Sequence, residues 1–296
     1  MEINETATLD DRGFIQLEGD EAKDFLQNIV TNDLEKVNNN FTLFSSLLTP
    51  QGKYLYEFFI LKSDNKYLLE CEKEAIPELI KIFNFYKLRS KVSLVDVSKN
   101  YINQTISLKK FEEISKNQTA KGFTITYKDC LIYLDPRNKN LGGKIVSKIE
   151  NIENVIKNLN LKKIEKKIYY TKSFELGIPQ INLKKLKDKI FGIENNLDEL
   201  GGIDFKKGCY IGQENTSRIK LRNKLKKRIL PIKKISGNFS ENDIIKYKDN
   251  EIGKIMIDKP YPFALIKIID PDLEELKNAE LTCGKSKVRI IKPEWL

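Results

Sequence analysis

Lys207-Gly208-Cys209-Tyr210-Ile211-Gly212-Gln213-Glu214 is the stretch on which the assignment of this chain turns. Two glycines bracket a single cysteine, with a lysine before it and a glutamine–glutamate pair after it. Glycine lets the backbone approach a ligand closely and adopt dihedrals closed to other residues. A thiol beside a cation has a lowered pKa and becomes nucleophilic or redox-sensitive. Lys207 is placed in sequence to lower the pKa of Cys209, and Glu214 to raise it or to shuttle a proton. A buried cysteine in a tight turn would carry the same pattern.

Outward from this segment, the other cysteines, Cys71, Cys130 and Cys283, are widely dispersed and form no C-x-x-C pair. Zinc and self-contained iron–sulfur sites commonly draw on closely spaced ligands, so no stable metal site is expected, although chain folding can gather distant ligands. The chain has no histidine. That removes Ser-His-Asp triads, Cys-His dyads and zincin motifs together, and leaves acid–base chemistry to Asp, Glu, Lys, Tyr or Cys. Its 296 residues fit two domains or one large one. A formal charge of +10 favours anionic partners, although a Lys-, Asn- and Ile-rich composition spread along the whole chain explains the charge as well. No apolar run is long enough to span a membrane, and the N-terminus reads neither as a signal peptide nor as an organelle presequence. The expectation is a cytoplasmic protein with reduced thiols and no membrane, with the mitochondrial matrix as the lesser alternative.

Hydrophobic spacing gives a mixed α+β reading. Asp20 is the expected cap of a helix carrying Phe25, Leu26, Ile29 and Val30. Strands are expected at Phe41–Leu48, Tyr54–Leu61 and Tyr67–Cys71, the first two joined by the turn Thr49-Pro50-Gln51-Gly52. A helix follows over Glu74–Tyr86, with Pro77 in its first turn, then an extended Val92–Val97. Gly122–Tyr127 and Cys130–Leu134 read as a hairpin, and Asn151–Leu161 as a helix. Beyond about residue 225 short strand candidates recur at Arg228–Ile232, Ile244–Tyr247, Glu251–Ile257, Phe263–Ile268, Ala279–Cys283 and Lys287–Ile291, the spacing of a small barrel or sandwich. Gly284-Lys285-Ser286 looks like the end of a phosphate loop, but Ala279 stands where that loop needs glycine.

The octapeptide resembles the K-G-C-Y-x-G-Q-E signature of the YgfZ/GcvT folate-binding family, and matches it at every position. Further segments resemble the family in its order: Leu26–Asp33, Leu48–Lys53, Tyr86–Val92, Asp135-Pro136-Arg137, Gly177-Ile178-Pro179, Glu194–Leu197 and Gly201–Phe205. The resemblance implies an aminomethyltransferase-like folate-binding domain, residues 1–225, followed by a small C-terminal β-barrel, residues 226–296. It implies tetrahydrofolate or a one-carbon derivative as cofactor, and a role in iron–sulfur cluster assembly or repair with Cys209 as the functional thiol. Partners would be folate and iron–sulfur client or assembly proteins. Weak tRNA binding is a further expectation, because some bacterial members serve enzymes that thiolate tRNA. T-proteins of the glycine cleavage system carry acidic residues, one of them a catalytic Asp, where this chain has Tyr54-Leu55-Tyr56-Glu57-Phe58. Glu57 would shift the carboxylate, so a conventional aminomethyltransferase is not expected; a folate-dependent aminomethyl or methyl transferase and a tRNA-modification-associated RNA-binding protein stand as alternatives.

Within that resemblance, Glu194 is the candidate reader of the pterin edge, because a carboxylate accepts paired hydrogen bonds. Asn32 and Asp33 would touch the ligand or cap the end of the first helix. Arg89, Arg218 and Arg222 are candidates for the carboxylates of the folate tail. Asp135 and Arg137 suit an internal turn or ion pair. Along Ser217–Lys234 the cations alternate with apolar residues, which predicts an extended strip of positive charge, either anion-binding or a solvated edge.

Overall fold

The structure is a computed structural model that describes residues 1–269, 273–277 and 279–296. The chain divides into two compact units. The first comprises Met1–Leu47, Tyr56–Tyr169 and Leu200–Ile211; the second comprises Leu48–Leu55, Tyr170–Glu199 and Gly212–Leu296.

Two sheets make up the first unit. In spatial order the five-stranded sheet runs Leu43–Leu48, Tyr54–Ser63, Lys66–Glu72, Arg12–Glu18 and Ser93–Asp96. Its inner strands are buried nearly throughout, because both of their faces are covered, and so read as continuous rather than alternating apolar runs. Helix Ala22–Ile29 buries Ala22, Phe25, Leu26 and Ile29, one face at helical spacing. Phe83 of helix Ile76–Lys87 meets Phe25 and Phe58 edge-on.

The six-stranded sheet runs Lys162–Ile164, Glu5–Thr8, Tyr101–Ile106, Gly143–Lys148, Cys130–Leu134 and Thr124–Tyr127. Glu5–Thr8 lies parallel to Lys162–Ile164 and antiparallel to Tyr101–Ile106. Phe111 of helix Leu108–Ile114 and Ile152, Val155 and Ile156 of helix Ile152–Asn158 pack on its apolar face.

In the second unit Lys227–Ser236, Phe263–Lys267, Asn250–Ile257, Ile244–Tyr247, Leu281–Cys283 and Ser286–Ile290 close into a barrel. Leu230, Ile232, Ile245, Ile255, Ile266, Val288 and Ile290 fill it, and alternate residues along Ser286–Ile290 point inward. The turn after Leu48 closes through the Gly52 N–H to Thr49 carbonyl bond, 2.8 Å, with Gly52 at φ +82°.

The mixed α+β reading and the small barrel hold. Two local expectations do not. Glu21, not Asp20, precedes the first helix, and it makes no side-chain cap. Gln213–Leu221 is a helix, so the cations of Ser217–Lys234 do not line one face of a strand. Gly212 at φ +82° opens that helix, and an i,i+4 Glu214–Arg218 ion pair of 3.0 Å supports it. Among the described residues no helix is long and apolar enough to cross a membrane.

Candidate functional site

Cys209 is exposed, on the irregular segment Leu200–Ile211 of the first unit. The segment has no ladder of its own, so other groups must hold it. The Thr31 hydroxyl donates to the Gly202 carbonyl at 2.6 Å, and the Asp204 N–H donates to the Thr31 carbonyl at 3.0 Å. The Asn32 side-chain amide donates to the Gly201 and Phe44 carbonyls at 2.9 and 2.8 Å, while its oxygen accepts the Asp33 N–H at 2.9 Å. Lys36 pairs with Asp204.

Lys207 is the central fastening. Its ammonium donates to the carbonyls of Gln27, Val30 and Asn32 at 2.7, 2.7 and 3.0 Å. These carbonyls lie at and beyond the end of helix Ala22–Ile29, where backbone acceptors lack intrahelical donors and a cation is favoured. The ring of Tyr210 lies 5.1 Å below the same ammonium. Burial pulls the Lys207 pKa down to about 8. The structure thus brings together two segments far apart in sequence, Val30–Lys36 and Leu200–Tyr210, with the thiol on the outer side of the join.

The glycines flanking Cys209 differ. A Cβ on Gly212 would lie 2.4 Å from the Thr49 carbonyl oxygen, so that glycine is required sterically. A Cβ on Gly208 would meet nothing within 4 Å. The other thiols are buried, and burial raises their pKa, that of Cys71 to about 12 and that of Cys283 to about 11. Cys209 is therefore the one thiol of the four that a large reactant can meet.

The remaining sequence candidates take distinct places. Asp33 accepts from the Glu35 N–H at 3.1 Å, capping the 3-10 turn Leu34–Lys36, and from the Gln27 side-chain amide at 2.8 Å. In the second unit, Glu194 is partly buried, and one carboxylate oxygen accepts the Phe191 N–H at 2.8 Å. Burial raises its pKa. Glu214 and Arg218 pair with each other on the helix surface, and Arg222 is exposed at its end. Arg89, in the first unit, is exposed beyond helix Ile76–Lys87.

Sequence reading missed a buried charged cluster between the two sheets of the first unit. Glu70 accepts from Arg12 at 2.9 Å and from Lys144 at 2.8 Å, and it also bonds the Tyr133 hydroxyl. Burial alone would raise the Glu70 pKa, but Lys144 and Arg12 hold it well below the usual carboxylate range. Nearby, Asp135 and Arg137 form the expected ion pair, in a two-pronged arrangement with N–O distances of 3.0 and 2.8 Å. Glu57 lies 3.8 Å from the same guanidinium, which stacks over Phe59. Among the described residues no group of three or more Cys, Asp or Glu side chains is placed to hold a metal ion.

The chain is 27% identical over 291 residues to the mitochondrial iron-sulfur cluster assembly factor IBA57 homolog of Neurospora crassa, covering 92% of this chain and 61% of that protein. It is 28% identical over 278 residues to the corresponding Dictyostelium discoideum protein, covering 84% and 64%, and 24% identical over 241 residues to mouse IBA57, covering 76% and 65%. The chain thus spans about three fifths of the length of these relatives. No family model matches the chain. Among solved structures, the glycine cleavage system aminomethyltransferase T of Bartonella henselae superposes with a TM-score of 0.76, covering 98% of this chain and 86% of that one, at 11% identity. The aminomethyltransferase-like fold is therefore established. The expected cytoplasmic location is corrected, because these relatives are mitochondrial proteins.

Proposed function

We propose that this protein is a mitochondrial iron–sulfur cluster assembly factor that presents Cys209 as its working thiol. The observation that carries the reading is the contrast between one exposed cysteine on a fastened loop and three buried ones, in a chain whose relatives bear that function in their names. An iron–sulfur cluster is held by about four thiolates or equivalent protein ligands. This chain offers one at the surface, so Cys209 supplies a single ligand and an assembly or client protein supplies the rest. The cluster is cargo, held only while that partner is present. Lys207 positions the loop, and Glu214 is a surface residue beside it in sequence.

The proposed cofactor is tetrahydrofolate or a one-carbon derivative. Its support is the aminomethyltransferase fold together with the family resemblance of the octapeptide. Glu194 fits the pterin edge: a carboxyl with one oxygen on a backbone N–H and a pKa raised by burial suits paired ring donors. Arg89, Arg218 and Arg222 are the cations proposed for the tail carboxylates. Asn32 and Asp33 have their polar atoms engaged by backbone and by Gln27, and so act by shaping the loop bed.

Calorimetric titration with tetrahydrofolate and replacement of the Dictyostelium relative in living cells test the two halves separately. The expected outcome is that Cys209→Ala binds folate like the wild type but fails to restore iron–sulfur enzyme activity. Full restoration by Cys209→Ala would overturn the thiol assignment. Absence of saturable folate binding by the wild type would overturn the cofactor.

A further inference from the structure

The second unit carries a surface that the cluster chemistry does not use. Helix Gln213–Leu221 ends in Leu221, which is 85% exposed. Arg222, Lys224, Lys226 and Lys227 follow it, all exposed. The neighbouring cations are already engaged: Arg218 with Glu214, Lys220 with Asp198, and Arg228 with Glu199. In the barrel wall Lys227 stands directly opposite Lys267 on the adjacent strand, a like-charge pair in which the Lys267 ammonium donates to the Glu251 carbonyl at 2.8 Å. Glu194 and Lys227 attract each other. The Ile268 N–H bonds the Lys226 carbonyl at 2.9 Å, which brings Ile269, 47% exposed, to the same edge.

We infer that this edge docks on an anionic phospholipid surface. Lysine and arginine stems around protruding aliphatic side chains match a bilayer interface, where the cations meet headgroup phosphates and the apolar tips enter the acyl boundary. The directly opposed lysines are relieved by a dense field of negative charge. Two observations favour lipid over RNA. The protruding side chains are aliphatic, and Arg222–Arg228 contains no aromatic ring on which a base would stack. Leu221 stands clear of its surroundings as a knob, which suits a fluid surface into which it can sink. Arg222 is also proposed for the folate tail, so the variants that test the edge change only Lys224, Lys226 and Leu221, which the thiol and folate assignments do not use.

Vesicle flotation tests it, using the full chain with phosphatidylcholine vesicles and with vesicles that also contain phosphatidylglycerol. The wild type is expected to float only with the mixed vesicles and to be released by high salt. Each cation removed should weaken partitioning about fivefold. Lys224→Gln with Lys226→Gln should therefore weaken it about 25-fold, without a change in melting temperature, because both side chains are exposed. Leu221→Ser should weaken partitioning several-fold with the charge unchanged. Failure to float with mixed vesicles would overturn the inference. So would flotation indifferent to Leu221→Ser and abolished by competing RNA, which would make the edge a nucleic-acid surface.

Discussion

Replacing Lys207 by Met keeps the aliphatic stem and removes the ammonium from three backbone carbonyls. A hydrogen bond to a charged group contributes about 1.5–3 kcal/mol, so the gross loss is about 4.5–9 kcal/mol. An opposing effect comes from burial, which lowers the Lys207 pKa from 10.5 to about 8. At 1.36 kcal/mol per pH unit, and discounted because the side chain is only partly buried, at most about 3 kcal/mol of ammonium destabilisation is recovered on truncation. Water reaching the freed carbonyls reduces the loss further, which leaves about 1 kcal/mol at the lower end of the range. That loss falls on the join between the Cys209 segment and the end of the first helix. Amide hydrogen exchange reads it directly: protection at residues 30–32 and 204–210 should fall at least about fivefold, while the barrel strands keep theirs. Lys207→Arg should fall between the two, since a planar fork does not match three converging acceptors. Unchanged exchange at these amides in Lys207→Met would refute the claim that the ammonium fastens the loop.

Titration of Lys207 has a fixed sign. Its folded pKa lies below the unfolded value, so between about pH 8 and 10.5 the unfolded chain binds more protons and this residue's contribution to stability rises with pH. The stability gap between wild type and Lys207→Met should widen across that window in urea titrations. Glu70→Gln leaves Arg12 and Lys144 buried without their carboxylate and should cost about 3–5 kcal/mol in the same assay. Because the Glu70 pKa is held low, its contribution is complete above about pH 4.5 and is lost at lower pH, so the gap between wild type and Glu70→Gln should shrink in acid. Gly212→Ala should destabilise by about 2 kcal/mol or more, whereas Gly208→Ala should leave the melting temperature unchanged. A bulky maleimide should label Cys209 alone in native protein and all four cysteines in urea, as mass spectrometry of the peptides would report.

The mixed α+β class and the small barrel were legible in sequence because both rest on local residue type and on spacing. The function of Lys207 was not. Its neighbour in sequence is the thiol, but its ligands are carbonyls from a segment about 180 residues away. Strands Tyr101–Ile106 and Gly143–Lys148 escaped for a related reason. Asn103, Gln104, Thr105 and Lys144 are buried there, so neither strand shows the apolar alternation that marks a half-buried sheet. The start of the strip, Ser217 to Leu221, is helical rather than extended, because alternating cations are exposed on a helix too, whereas its end from Lys227 is a strand as expected. Glu57, by contrast, was flagged by position alone, and its proximity to Arg137 required the sheet to bring them together.

Sealing three sulfurs inside packed cores also determines what oxidation can do to this protein. Among the described residues an oxidised Cys209 finds no accessible second thiol, so a disulfide it forms joins two molecules: glutathione, a client, or another copy. The redox state of the loop is therefore a function of concentration and company. A dilute sample and a crowded compartment will hold different populations of the same polypeptide, and a reductant will return both to one.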